Sequence, residues 1–202
     1  MQPLRRIGIF GGTFDPPHVG HLILAEECRT QLQLDLLLWV VTDNPPHKRY
    51  THISPIEDRV VLVEKAIHGN PCFELSRVDI DRPGPHYAID TVKLLKKEYP
   101  GAEMYYLMGG DSLHDLPTWN KPQEFIQVCD GIGVMRRHAD QVDLTSLEAL
   151  LPGVTDKVRI VEAPILEISS KQIRQRIAEG MGYRYYLRDA VYQAILEMGL
   201  YR

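Results

Sequence analysis

Short runs of Val, Ile and Leu alternate along the chain with longer stretches in which apolar residues recur at helical spacing. Apolar runs of this length fit strands buried on both faces, and parallel strands need a crossover, usually a helix, between them. The alternation therefore predicts an α/β fold, a doubly wound parallel sheet flanked by helices. We expect a single domain over residues 1–202, because no repeat, low-complexity tract or linker interrupts the pattern.

The predicted elements follow this alternation in order. Ser54 and Glu57, with Pro55 between them, have the spacing of a capping box and predict a helix start, and Ser169 and Gln172 have the same spacing. The predicted strands cover residues 6–10, 36–41, 73–78, 103–108, 130–135 and 157–161. The other predicted helices cover residues 18–32, 87–99, 169–178 and 189–198.

Charge and hydropathy exclude several classes of protein. The formal net charge is only −4, and the basic residues are scattered, so we expect no nucleic-acid partner. No apolar stretch is long enough for a signal peptide or a membrane span, so we expect no membrane partner and a cytoplasmic protein. The sequence indicates no particular oligomeric state.

The three cysteines, Cys28, Cys72 and Cys129, are far apart in the chain. Their number is odd and none belongs to a Cys-x-x-Cys pair, which argues against a disulfide framework or a zinc site. Buried, reduced thiols are expected instead.

Residues 11–21 lie where the first predicted strand turns into the first predicted helix, and they read Gly-Gly-Thr-Phe-Asp-Pro-Pro-His-Val-Gly-His. Glycines let a ligand approach the backbone, and the start of a helix offers N–H groups with a favourable dipole; α/β folds bind phosphates in this way. His18 and His21, three residues apart, are expected to project from one helix face. A cluster of hydrogen-bond donors for an anionic ligand is therefore predicted.

Two common phosphate-binding motifs do not fit this stretch. The chain has no G-x-x-x-x-G-K followed by Ser or Thr, and Gly8, Gly11 and Gly12 do not make G-x-G-x-x-G. The histidine pair alone would also fit a metal site or a polar helix start. A metal usually needs a third ligand, and no candidate for it can be named, so no protein metal ligand is predicted.

The 11–21 stretch resembles the signature of the nucleotidyltransferase superfamily, in its nicotinate mononucleotide adenylyltransferase branch. Residues 168–174, Ile-Ser-Ser-Lys-Gln-Ile-Arg, are similar to the family's Ile-Ser-Ser-Thr-x-Ile-Arg motif, with Lys171 in place of threonine. Alone, the second segment would be only a capped amphipathic helix. Together the two motifs imply a Rossmann-like nucleotidyltransferase fold.

Further segments resemble this branch rather than its relatives. Residues 44–48 contain Pro-Pro-His-Lys, which would otherwise be an ordinary basic loop, and residues 109–112 read Gly-Gly-Asp-Ser before Trp119. Residues 84–91 resemble the family's Pro-Ser-Tyr-Thr-x-Asp-Thr, with His86 and Ala88 as departures. Residues 136–139 read Arg-Arg-His-Ala where the family has Arg-Arg-Pro-Gly, so only the two arginines match. Without the resemblance, Trp119 would more simply be a core residue, and Arg136 and Arg137 could be an ordinary surface pair.

The resemblance implies the following site. His18, His21 and Arg174 would be catalytic; Gly11, Gly12, Thr13, Phe14, Ser169, Ser170 and Arg137 would bind ATP. Asn44, His47, Lys48, Tyr87, Thr91, Asp111 and Trp119 would bind the pyridine mononucleotide. Among these, Asp111 would accept from ribose hydroxyls, Trp119 would stack on the pyridine ring, and helix-start amides near Tyr87 would hold the carboxylate.

The implied reaction transfers AMP from ATP to nicotinate mononucleotide, forming nicotinate adenine dinucleotide and pyrophosphate, with Mg²⁺ entering on ATP. Three alternatives remain at this point. One is an enzyme that prefers nicotinamide mononucleotide or accepts both acceptors. Another is a catalytically weak nucleotide sensor, and the third is an RNA-modifying or synthetase-like protein, which the charge balance disfavours.

Overall fold

The computed structural model describes residues 5–42, 53–136, 143–164 and 166–202. Its strands are β1 (Arg6–Gly12), β2 (Leu36–Val41), β3 (Phe73–Ser76), β4 (Glu103–Gly109), β5 (Gly131–Arg136) and β6 (Val158–Glu162). They form one sheet in the order β3-β2-β1-β4-β5-β6. All five neighbouring pairs are parallel, which confirms the predicted sheet.

Strand β1 lies at the centre of the sheet, where its Ile9 aligns with Leu38 of β2 and Tyr106 of β4. All six residues of β2 are buried, as expected for a strand covered on both faces. The chain adds β2 and β3 on one side of β1 and later adds β4, β5 and β6 on the other. The strand order therefore reverses between β1 and β4.

Helices cover both faces of the sheet. They are α1 (Val19–Gln31), α2 (Ile56–Ile67), α3 (Ala88–Glu98), α4 (Gly110–His114), α5 (Pro122–Val128), α6 (Leu144–Leu150), α7 (Val154–Lys157), α8 (Ser170–Ala178) and α9 (Asp189–Met198). Buried residues of α1, α2, α8 and α9 form one apolar core with the sheet, and those of α3, α5, α6 and α7 form a second. Two cores on opposite faces make the fold doubly wound, as predicted.

Several predicted helix starts need correction. Helix α2 begins at Ile56 with Pro55 as its N-cap and no side-chain cap, so the predicted capping box at Ser54 is wrong. The amide of Ser54 donates instead to Asp15 Oδ2, and its carbonyl accepts from Arg59, so tertiary contacts replace the local cap. Helices α1, α3 and α8 each begin one residue later than predicted, because His18, Tyr87 and Ser169 are their N-caps.

The short helices α4 to α7 were not predicted. Each has seven residues or fewer, too short for helical periodicity to be visible in the sequence. Local signals did exist, since Pro122 occupies the first turn of α5 and Asp143 caps α6 through the amides of Thr145 and Ser146.

The thiols are free, and Cys28 and Cys129 are buried, while Cys72 is partly exposed. Within the described ranges, none of the helices has the length and apolar character required to cross a bilayer.

Candidate active site

A cavity of about 370 Å³ opens at the carboxyl edge of the sheet, where β1 and β4 diverge. Parallel α/β sheets bind ligands at this reversal of strand order, because the loops there leave the sheet in opposite directions. The ends of β1 and β4 and the start of α3 contribute its walls. Six of the sequence-predicted site residues line it, namely Gly11, Gly12, Thr13, Tyr87, Thr91 and Trp119.

A side chain at either glycine at the end of β1 would crowd a neighbouring aromatic residue. A Cβ on Gly12 would lie 2.7 Å from Phe14 Cζ, and one on Gly11 would lie 3.3 Å from the Tyr106 hydroxyl. Phe14 itself is buried, with ring centroids 5.5 Å from Phe10 and 5.0 Å from Trp39, and has a left-handed φ of 49°. The Phe14 ring thus anchors the loop in the core, and its backbone is the part that a ligand can meet.

His18 and His21 hold each other at the start of α1. The amide of His21 donates to His18 Nδ1 at 3.3 Å, and the amide of His18 donates to His21 Nδ1 at 3.2 Å. The two rings are stacked, with centroids 3.7 Å apart. Because Nδ1 of each neutral ring accepts, the proton lies on Nε2. The same two rings therefore form a polar helix start and a pair of donors. In each ring Nδ1 accepts at the start of the helix, and this contact fixes the orientation of Nε2–H.

Gly20 lies beside this pair. A Cβ at Gly20 would come within 3.0 Å of His18 Nδ1 and 3.1 Å of its Cε1. The imidazole of His18, which is buried, therefore occupies the space that a larger residue at position 20 would need.

Helix α8 is fastened to the β1–α1 loop (residues 13–18) by two side chains. Ser170 Oγ donates to the Pro16 carbonyl at 2.8 Å, and Arg174 Nη1 donates to the Asp15 carbonyl at 2.6 Å. Ser169 caps α8 by accepting from the Gln172 amide and is exposed, as is Lys171. The structure thus joins the two sequence motifs, which are far apart in the chain, at one loop.

Two buried charged side chains support this loop, and the sequence interpretation assigned neither a role. Arg59 donates to the carbonyls of Thr13, Thr42 and Ser54, and so ties together the ends of β1 and β2 and the start of α2. Asp15 accepts from the Ser54 amide and from the Tyr201 hydroxyl. Arg59 follows two acidic residues in the sequence, but its helical spacing to Val63 and Ala66 places it on the buried face of α2 and could have singled it out. No sequence signal singled out Tyr201.

The opposite wall of the cavity is built around the start of α3. Thr91 is buried and donates from Oγ1 to Asp79 Oδ1 at 2.7 Å. Arg82 donates to the same carboxylate oxygen at 2.9 Å and to Thr91 Oγ1 at 3.3 Å. The hydroxyl of Thr91 therefore serves this network, while Tyr87, the N-cap of α3, lines the cavity beside it.

Trp119 both packs against other aromatic side chains and lines the cavity, and its stacking on a pyridine ring stays a prediction. Its ring packs against Tyr106 and Phe125, at centroid distances of 5.9 and 5.4 Å, and it also lines the cavity. Burial raises the pKa of Tyr106, which also lines the cavity, so that its hydroxyl stays protonated.

The remaining predicted site residues are not part of this wall. Asp111 is exposed in the first turn of α4, and its neighbour Ser112 lines the cavity instead. Asn44, His47, Lys48 and Arg137 lie outside the described residues.

Comparison with known proteins agrees with this architecture. Residues 9–176 match the model of the cytidylyltransferase-like family. The chain is 45% identical to a probable nicotinate-nucleotide adenylyltransferase of Thermomicrobium roseum, over 98% of this chain and 92% of that protein. It is 39% identical to the protein of the same description from Dehalococcoides mccartyi, over 97% of both chains. Among solved structures, the nicotinic acid mononucleotide adenylyltransferase of Plasmodium falciparum complexed with NaAD has a similar fold, with a TM-score of 0.79, 17% identity and coverage of 98% of this chain and 97% of that one.

Proposed function

Because the chain belongs to the family of nicotinate-nucleotide adenylyltransferases, we propose that it transfers the AMP part of ATP to nicotinate mononucleotide, producing nicotinate adenine dinucleotide and pyrophosphate. The observation that carries the proposal is the reciprocal pair of His18 and His21, whose Nδ1 atoms accept backbone amides. The two rings thus sit at the start of α1, directly after the loop to which Arg174 donates at the Asp15 carbonyl.

In the proposed reaction, an oxygen of the acceptor's 5′-phosphate attacks the α-phosphorus of ATP. The bond from that phosphorus to the α–β bridging oxygen breaks, and its electron pair leaves with pyrophosphate. A phosphate monoester has its second pKa near about 6, so at neutral pH the nucleophile is largely a dianion and needs no general base. The obstacle is crowding of negative charge, and donors fixed in place reduce it.

The phosphate end of the site supplies such donors. We assign His18 and His21 to oxygens of the α- and β-phosphates, and Arg174 with the start of α8 at Ser169 and Ser170 to the β- and γ-phosphates. The backbone amides of residues 12–14 would meet the bridging region. Arg174 suits its role, because the contacts described for it engage only Nη1 and leave Nε and Nη2 for phosphate.

The other end of the cavity would hold the pyridine mononucleotide. Trp119 offers a ring face for stacking, and the first amides of α3, beside Tyr87 and Thr91, would hold the carboxylate. Asn44, His47 and Lys48 would contact its phosphate, Asp111 its ribose, and Arg137 the ATP side.

Mg²⁺ is the divalent ion that we propose accompanies ATP. The groups that meet at the β1–α1 loop are mostly N–H donors, which suit phosphate oxygens, and no cluster of three or more His, Cys, Asp or Glu occurs among the described residues. The ion would therefore be held by the ATP phosphates and water and would neutralise their charge. We further propose that residues 1–202 act as one domain in the cytoplasm, where ATP is available.

Labelled ATP tests the reaction class. With ATP labelled at the α-phosphorus and nicotinate mononucleotide as acceptor, we expect the label in the dinucleotide and one pyrophosphate released per dinucleotide formed. Label recovered as ADP, or no product from folded protein that binds ATP, would contradict adenylyl transfer. The second result would favour a nucleotide-sensing module.

A further inference from the structure

We propose that Tyr201 is a positioning residue: its hydroxyl holds the carboxylate of Asp15, and through Asp15 it keeps the β1–α1 loop and Arg174 in place for ATP. The inference rests on the proposed function, which assigns Arg174 to the phosphates of ATP.

Three segments that are distant in sequence meet at the carboxylate of Asp15. Tyr201 Oη donates to Oδ1 at 2.7 Å, and the Ser54 amide donates to Oδ2 at 3.2 Å. Arg174 Nη1 lies 3.9 Å from Oδ2 while it donates to the Asp15 carbonyl at 2.6 Å. The carboxylate is only 4% exposed, so these groups take the place of water around its charge.

The end of α9 directs Tyr201 back towards this loop. Gly199 has a φ of 65°, and the amide of Leu200 donates to the Ile195 carbonyl, which is the bond of a Schellman turn. Tyr201 itself has a φ of 66°, a left-handed conformation that a bulky residue adopts only when its surroundings hold it there. The bond to Asp15 is one such constraint.

The Tyr201 hydroxyl keeps its proton and therefore remains a donor to Asp15. Burial, followed by the charge of Asp15, raises the pKa of Tyr201 well above its usual value. The hydroxyl therefore keeps its proton throughout the neutral range.

Removal of the Tyr201 hydroxyl would leave the Asp15 carboxylate with one hydrogen-bond donor fewer. A buried carboxylate that loses one of its donors draws a nearby cation closer, and the Arg174 guanidinium lies 3.9 Å from Asp15 Oδ2. Movement of Nη1 from the Asp15 carbonyl onto its carboxylate would turn the guanidinium away from the ATP phosphates. The effect should therefore concentrate on ATP and spare the pyridine mononucleotide.

Tyr201→Phe tests this, because it removes the hydroxyl and keeps the ring. Tyr192→Phe is the matched control: Tyr192 is partly buried in α9, and its ring packs on Tyr183, at a centroid distance of 5.1 Å, away from the loop. For Tyr201→Phe we expect the Kd and the KM for ATP to rise about tenfold, with the KM for nicotinate mononucleotide within about twofold of wild type. The control should match wild type in all three constants.

A double-mutant cycle with Asp15→Asn separates positioning from general destabilisation. If Tyr201 acts through Asp15, Tyr201→Phe adds little to the ATP defect of the Asp15→Asn variant. Additive losses, equal effects on both substrates, or an unchanged ATP constant in Tyr201→Phe would each overturn the inference. A wild-type protein that binds ATP but does not use nicotinate mononucleotide would instead refute the proposed function, and the ATP Kd values would still decide the role of Tyr201.

Discussion

At the residue scale, the imidazole rings of His18 and His21 each serve a structural and a chemical purpose. Their Nδ1 atoms cap α1, and this capping fixes the orientation of the Nε2–H donors. Replacement by alanine would remove the cap and the donor together and so confuse loss of stability with loss of catalysis. A substitution that keeps only one of the two functions is more informative.

His18→Asn is such a substitution, because asparagine is a good N-cap but its side chain is too short to place a donor where Nε2–H lies. We expect kcat to fall about 100-fold or more, as for loss of one donor to a developing oxyanion, with little change in the free energy of unfolding. Steady-state kinetics and urea unfolding measure the two effects. His114→Ala, at the exposed end of α4, is the control. Near-normal turnover in His18→Asn would reject the assignment of His18.

Gly20→Ala probes the same ring by crowding. The added Cβ would lie 3.0 Å from His18 Nδ1, so the ring must shift by a few tenths of an ångström. Because small misplacements of catalytic groups are costly, we expect kcat to fall about tenfold. Alanine favours a helix over glycine by about 0.5 to 1 kcal/mol, so stability should be largely retained.

Gly182→Ala is the control for this variant, since a Cβ at Gly182 meets open space. Equal kinetics for Gly20→Ala and wild type would show that the position of the His18 ring is not critical.

At the scale of elements, the site depends on contacts between the ends of strands and the starts of helices. Arg59 of α2 bonds to carbonyls at the ends of β1 and β2 and before its own helix. Because this side chain is buried, its loss leaves several carbonyl oxygens without a partner or water.

Arg59→Met is therefore expected to lower the free energy of unfolding by about 3 kcal/mol, measured by urea denaturation. Arg77→Met is the contrasting variant, because Arg77 pairs with Glu57 and Asp81 at the surface, where ion pairs are weak. A similar, small change for both variants would contradict a structural role for Arg59.

The elements also show what the sequence could predict. The six strands and the long helices were predicted because burial on both faces and helical periodicity leave visible patterns. The cap of α2 was wrong because Ser54 bonds to Asp15, a residue distant in sequence, and such tertiary contacts override local signals. For the site, Gly11, Gly12, Tyr87 and Trp119 belong to sequence motifs, and in the structure they line the cavity. Tyr201 belongs to no motif, and its contact with Asp15 is visible only in the folded chain.

At the scale of the whole molecule, one sheet separates two apolar cores, and each core contains a buried thiol. Burial raises the pKa of Cys28 to about 12 and that of Cys129 to about 12. Both thiols therefore stay protonated near pH 8, where an exposed thiol begins to ionise.

Thiol labelling checks this arrangement. With a reagent such as Ellman's at pH 8, we expect the native protein to react at Cys72 and the denatured protein to react at all three cysteines. A Cys72→Ser variant should show almost no reaction until it is unfolded. Rapid labelling of two or more cysteines in the native state would mean that the cores are more open than described.

The proposed preference for nicotinate mononucleotide is tested by comparing two acceptors. Pyrophosphate release from Mg-ATP is measured with nicotinate mononucleotide and with nicotinamide mononucleotide, each alone and at matched concentrations. We expect fast turnover with the acid and little with the amide, because the first amides of α3 are N–H donors that match a carboxylate. Comparable rates would indicate a dual-specificity enzyme, and turnover with the amide alone would contradict the proposed acceptor.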